Sequence, residues 1–132
     1  MTPEEVVASA RRCVGARFRP QGRDAATGLD CIGVAAIAMD KTPPLAAYTM
    51  RGNHWRAIAL VAAEMGLAEI FPGEARPGDL LMVEPGPGQL HMIVMTPNGF
   101  VHADARLRRV VEAPGRPAWP VLCAWRGTQD EG

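Results

Sequence analysis

The stretch Gly28–Asp40, GLDCIGVAAIAMD, places a cysteine between an acid and an apolar run. The run carries no proline and reads as a helix over about 30–40, opened by Asp30 or Gly28 and buried on most sides. Cys31 falls in its first turn. N–H groups without intrahelical partners and the positive end of the helix dipole both favour a thiolate there, and so predict a lowered pKa. The same N–H groups can receive the oxyanion of a tetrahedral intermediate. A packing cysteine could stand anywhere along the run. At the first turn Cys31 is a candidate nucleophile, and a nucleophile needs a base.

Upstream, residues 3–14 read as a helix. Thr2 suits the N-cap, Pro3 the first helical position, and Glu4 and Glu5 the positive end of the dipole. Val6, Val7, Ala10 and Cys13 or Val14 form its apolar stripe. Residues 15–28, GARFRPQGRDAATG, read as one long loop. Downstream, 41–52 is a connection with Tyr48 as a loop anchor. A third helix is expected over about 53–66, with Asn53 as cap and Trp55, Ile58, Ala59, Ala62 and Met65 in helical period.

The pattern changes after Gly66. ARPGDLLMVEPGPG (75–88) holds a short strand between turns, with Asp79 stabilising the first turn. QLHMIVM (89–95), GFVHAD (99–104), RRVVEA (108–113) and VLCAWR (121–126) follow as short strands. Helices first and antiparallel strands second predict an α+β fold, with 1–132 as a single domain.

Fourteen basic residues balance fourteen acidic ones, which gives no footprint for nucleic acid or an anionic membrane. No apolar run is long enough to span a bilayer, and the start lacks the pattern of a secretory signal, so cytoplasmic synthesis without membrane insertion is expected. The three cysteines show no C-x-x-C spacing, which argues against structural zinc, and no metal or organic cofactor is expected. Cys13 and Cys123 sit in apolar patterns and read as packing residues.

The base candidates are His54, His91 and His102. His54 reads as an exposed or capping residue. Alternation puts His91, Ile93 and Met95 on one strand face, and Phe100, His102 and Asp104 share a face of the next strand. A two-residue loop at Pro97–Asn98 would pair Met95 with Phe100 and make His91 and His102 diagonal neighbours. Asn98–Gly99, the stronger turn signal, would separate them further, and a three-residue loop would put them on opposite faces. In a Cys–His–polar arrangement Cys31 attacks, His91 moves the proton, and His102 or Asp104 orients the imidazole.

These residues resemble the NlpC family of papain-like cysteine peptidases, which cut peptide bonds in cell-wall peptidoglycan. The resemblance is carried by GARFRPQGRDAATGLDCIGVAA, RPGDLLMV, HMIVM and GFVHAD, in family order. It implies a papain-like fold with N-terminal helices packed on a C-terminal antiparallel sheet. It implies Cys31 as nucleophile, His91 as base and His102 as third polar residue, acting on a peptidoglycan stem peptide. The compact form resembles the subgroup found with phage tail proteins and gene transfer agents, which implies tail proteins as partners and a tail-associated location. The alternative is a tail-assembly component that uses the fold for binding. Ile32 stands where many members have serine, and Phe18 where many have tyrosine. Asp30 retains its family partner role in the substrate subsite. Arg17, Arg19 and Arg23 read first as solvated loop charge, with Arg23 a candidate contact for substrate carboxylates.

Overall fold

The computed structural model describes residues 1–42 and 55–127, so Tyr48, Asn53 and His54 lie outside the described residues, as do the side chains of Trp55 and Ile58. Helix α1 spans Pro3–Arg12. The Thr2 side chain accepts from the Glu5 N–H while the Glu5 carboxylate accepts from the Thr2 N–H, a reciprocal capping box. Cys13 closes the helix and is buried, whereas Val14 is 43% exposed. The apolar stripe therefore ends on the cysteine. Helix α2 spans Cys31–Met39, capped by Asp30 and closed by Asp40 in the left-handed region at φ 52°. Seven of its nine residues are buried, as an all-round apolar helix requires. Helix α3 spans Trp55–Glu64 and turns Ala62 inward.

The loop over 15–28 is not structureless. It contains a two-stranded hairpin, β1 (Arg23–Asp24) with β2 (Gly28–Leu29). Glycines explain how the hairpin seats against α2. A Cβ on Gly33 would collide with the Gly22 carbonyl oxygen, and a Cβ on Gly22 would collide with that of Gly28. The loop backbone lies where side chains would be.

Six strands form the main sheet in the order β3-β8-β4-β5-β6-β7, antiparallel throughout. They are β3 (Leu67–Ile70), β4 (Leu80–Val83), β5 (His91–Met95), β6 (Gly99–Asp104), β7 (Arg109–Pro114) and β8 (Val121–Gly127). The edge strand β3 is an addition to the sequence reading. Its four residues bury only Leu67, with Ile70 half-buried, too short a pattern to announce a strand. The last strand, β8, inserts between β3 and β4.

The two sheet faces carry two apolar clusters. Leu80, Met82, Met92, Val94, Val101, Val110, Cys123 and Trp125 pack with residues of α1 and α2, including Val6, Ala10, Val34 and Ala38. Leu81, Val83, Ile93, Met95, Phe100 and Ala124 form the other cluster, under Trp119. Asp79 is buried at the start of β4. It accepts from the Arg76 N–H and takes Arg126 in two hydrogen bonds of 3.0 and 2.9 Å, so it joins β4 to β8 as well as holding the turn.

The β5–β6 hairpin turns at Pro97–Asn98, pairing Val94 with Val101 and Met95 with Phe100. The Asn-Gly signal is not used as the turn, and two contacts give the reason. The Gly99 N–H donates to the Thr96 hydroxyl at 3.0 Å, and a Cβ on Gly99 would run into the Ala113 carbonyl oxygen of β7. Gly99 is needed for close strand approach.

Candidate active site

Asp30 sets the start of α2. Its carboxylate accepts from the Gly33 N–H at 2.8 Å, the Gln21 N–H at 3.0 Å and the Arg23 guanidinium at 2.7 Å. One carboxylate thus caps the helix and ties down the preceding loop. Of the three candidate substrate contacts, Asp30, Phe18 and Arg23, the first and last are paired with each other. Phe18 is half-buried against the main core, and its N–H donates to the Arg108 carbonyl.

With the Gly33 N–H taken by Asp30, the N–H groups of Cys31 and Ile32 stay free of helical bonds. The Cys31 side chain is buried against β5. Burial pushes its thiol up to about 12, outweighing the Met92 N–H that faces the sulfur and pulls the other way; Asp30 raises it further, and Arg23 and the Ile32 N–H lower it. The lowered pKa expected of a helix N-terminus is therefore overridden in this state. The thiol is the resting form. Met92 is the residue after His91, so the same contact puts the sulfur one residue from the candidate base.

His91 Nε2 and His102 Nδ1 are 2.8 Å apart, with ring centroids 5.1 Å apart and nearly perpendicular planes. His102, and not Asp104, meets His91. Asp104 stands behind, its Oδ2 4.0 Å from His102 Nε2, while its Oδ1 accepts from the N–H groups of Arg106 and Leu107. Burial brings the His91 pKa down to about 4, helped by His102 and opposed by Asp104. Burial also lowers His102, again against Asp104. Both rings are neutral at pH 7. The carboxylate favours a proton on His102 Nε2, so His102 Nδ1 accepts and His91 Nε2–H donates. That tautomer leaves a lone pair on His91 Nδ1.

Trp119 is the residue the sequence reading missed. Its ring lies 6.0 Å from His91, 5.8 Å from His102 and 5.9 Å from Phe100. It stacks edge-on against the pair. The available signal was a lone aromatic between Pro117 and Pro120, in a segment with no periodicity to bury it. Cys13 and Cys123 are buried and unpaired, as packing residues should be. Among the described residues no group of three or more His, Cys, Asp or Glu is arranged to hold a metal ion. No described helix is long and apolar enough to cross a membrane.

The fold is that of NlpC/p60 domains. The chain is similar to the NlpC/p60 domain of the peptidoglycan hydrolase SagA, with 22% identity, a TM-score of 0.60, and coverage of 86% of this chain and 90% of that one. It is similar to NlpC1 from Trichomonas vaginalis at 18% identity and a TM-score of 0.65, covering 95% of this chain and 43% of that one. It is similar to the peptidoglycan hydrolase RipB from Mycobacterium tuberculosis at 23% identity and a TM-score of 0.62, covering 97% of this chain and 65% of that one. No family model and no curated protein matches the chain.

Proposed function

We propose that the protein is a cysteine hydrolase that cuts a peptide bond in the stem peptides of peptidoglycan, through Cys31, His91 and His102. The observation that carries this reading is the 2.8 Å contact between His91 Nε2 and His102 Nδ1, beside a buried cysteine at a helix N-terminus. The substrate class is carried over from the solved hydrolases of the same fold.

In this mechanism the Cys31 proton passes to His91 Nδ1 as the sulfur attacks the amide carbonyl carbon. The Cys31 N–H holds the developing oxyanion. His102 accepts from His91 Nε2 throughout and stabilises the imidazolium that forms, with Asp104 behind it. The imidazolium then protonates the leaving amine, and the C–N bond breaks. Water, deprotonated by His91, attacks the thioester and releases the acid and the free thiol. Because the resting pair is neutral, charge separation accompanies substrate binding, when Cys31 and His91 react together.

Purified peptidoglycan digested with wild type, Cys31→Ala and His91→Ala, with fragments identified by mass spectrometry, tests the reading. New amine and carboxylate ends with wild type alone support it. No cleavage by any of the three would sink it and favour a binding role for the fold. Carriage on a phage-like tail is a further proposal, supported by the sequence resemblance, and co-purification with tail proteins is its test.

A further inference from the structure

The net charge of zero conceals a local concentration of arginine. The segment 15–19 runs along the outer edge of β7: the Gly15 N–H donates to the Val110 carbonyl, the Val110 N–H to that of Ala16, and the Phe18 N–H to that of Arg108. This pairing sets Arg17 directly opposite Arg109. Arg19, Arg106 and Arg108 flank them, and all five are exposed. Three other arginines are in ion pairs: Arg11 with Glu112, Arg23 with Asp30, and Arg126 with Asp79. Among the described residues no acidic side chain forms an ion pair with any of these five.

Arg109 stands between two cross-strand neighbours, Asp104 on β6 and Arg17 on the outer segment, so Asp104 offsets its charge and Arg17 adds the unfavourable contact. The hydrogen bonds fall on the residues either side, so Arg17 and Arg109 form a non-hydrogen-bonded pair, with Cα atoms about 4.5 Å apart and side chains on one face. Like charges directly opposite on paired strands destabilise the pair. A bound anion reverses that sign. Two guanidinium forks on one face match the oxygens of a single carboxylate.

The face is the one that carries the histidines. Arg109 pairs with Asp104 across β6 and β7, and His102 pairs with Val111. Strand spacings put the Arg109 and Arg17 Cα atoms about 8 and 12 Å from that of His102. An extended peptide covers that span in about two to four residues.

We propose that Arg17 and Arg109 form a carboxylate-binding subsite that selects peptide substrates bearing a free carboxylate a few residues from the scissile bond, which lies one strand beyond His102 at His91. The proposal rests on the hydrolase reading above. Amidated stem peptides are then poor substrates.

The test uses two synthetic stem peptides, one with free side carboxylates and one with carboxamides. Binding is read by fluorescence anisotropy with full-length Cys31→Ala, so that the probe survives, and cleavage is read with wild type. The expected result is about tenfold tighter binding of the free carboxylate form at low salt. That preference shrinks at high salt and disappears in Arg17→Gln/Arg109→Gln. Arg17→Gln alone removes the repulsion and leaves Arg109 opposite Asp104, so this single variant should be at least as heat-stable as the parent, which a merely structural arginine would not be. Equal binding of both peptides, or a preference that survives the double substitution, overturns the proposal. If wild type cleaves both peptides equally, the hydrolase reading stands and the subsite falls. If neither is bound or cleaved, both fall, and binding of inorganic polyphosphate or duplex DNA to these arginines would assign the surface to another polyanion.

Discussion

His102 Nδ1 lies 2.8 Å from His91 Nε2, and the strand pairing that puts it there is decided by the Pro97–Asn98 turn. One residue of slip in this hairpin would send one histidine to the opposite face. The contact is therefore a consequence of where the chain turns, and its removal should be felt in chemistry more than in stability.

His102→Ala should lower kcat about 100-fold while KM changes little, because it orients the base and supports the imidazolium without touching substrate. His102→Asn, which keeps an acceptor near the same place, should recover part of the loss. Steady-state rates on a stem peptide check this. A His102→Ala enzyme within twofold of wild type would remove His102 from the mechanism.

Alkylation of Cys31 by iodoacetamide should be slow in the free protein at pH 7. Burial holds the thiol up at about 12 and His91 down at about 4, so neither partner is ionised in the resting state. The rate should keep climbing into the alkaline range. A plateau already reached below pH 7, assigned to Cys31 by mass spectrometry, would mean a resting thiolate–imidazolium pair.

The same histidine predicts acid sensitivity. The folded pKa of His91 is about 4 against an ordinary value of 6.5, so between these values the unfolded chain binds more protons. Stability contributed by the neutral ring is present above about pH 6.5 and is lost as pH falls toward 4. Urea midpoints measured from pH 7 to pH 4 should fall more steeply for wild type than for His91→Gln. Parallel curves would contradict the buried neutral imidazole.

Gly33→Ala should cost about 1–3 kcal/mol and reduce activity further than the stability loss accounts for. The new methyl meets the Gly22 carbonyl and approaches the Leu29 side chain at 3.0 Å, so the loop that holds Asp30 must move away from α2. Thermal unfolding and peptide cleavage at a temperature where the variant stays folded separate the two effects. A variant with wild-type melting and rate would show that the loop yields freely.

Much of this architecture was legible without coordinates because its signals are local. Thr2, Pro3 and Glu5 announce α1 through bonds made within one turn. Asp30 and the apolar run announce α2, and alternation announces the strands that carry His91, His102 and Cys123. The NlpC-like order of loop, cysteine and two histidines pointed to the fold that the solved domains share. The short hairpin β1–β2 and the edge strand β3 carried too few patterned residues to be read.

What only tertiary structure decided depends on groups brought together from distant positions. The sequence offers turns at Pro97–Asn98 and Asn98–Gly99, the second with the stronger signal, but Gly99 is consumed by the approach of β7, and the chain takes the register that joins the histidines. The sequence places Cys31 where a helix dipole lowers a thiol pKa, but burial against β5 is the larger effect and has the opposite sign. Trp119 reaches the histidines only because β8 folds back into the middle of the sheet and carries the preceding loop across it. Arg17 and Arg109 are separated by most of the chain and become neighbours on one strand edge. Periodicity and capping act over a few residues and can be read along the chain, whereas desolvation and charge proximity are sums over space and require the fold.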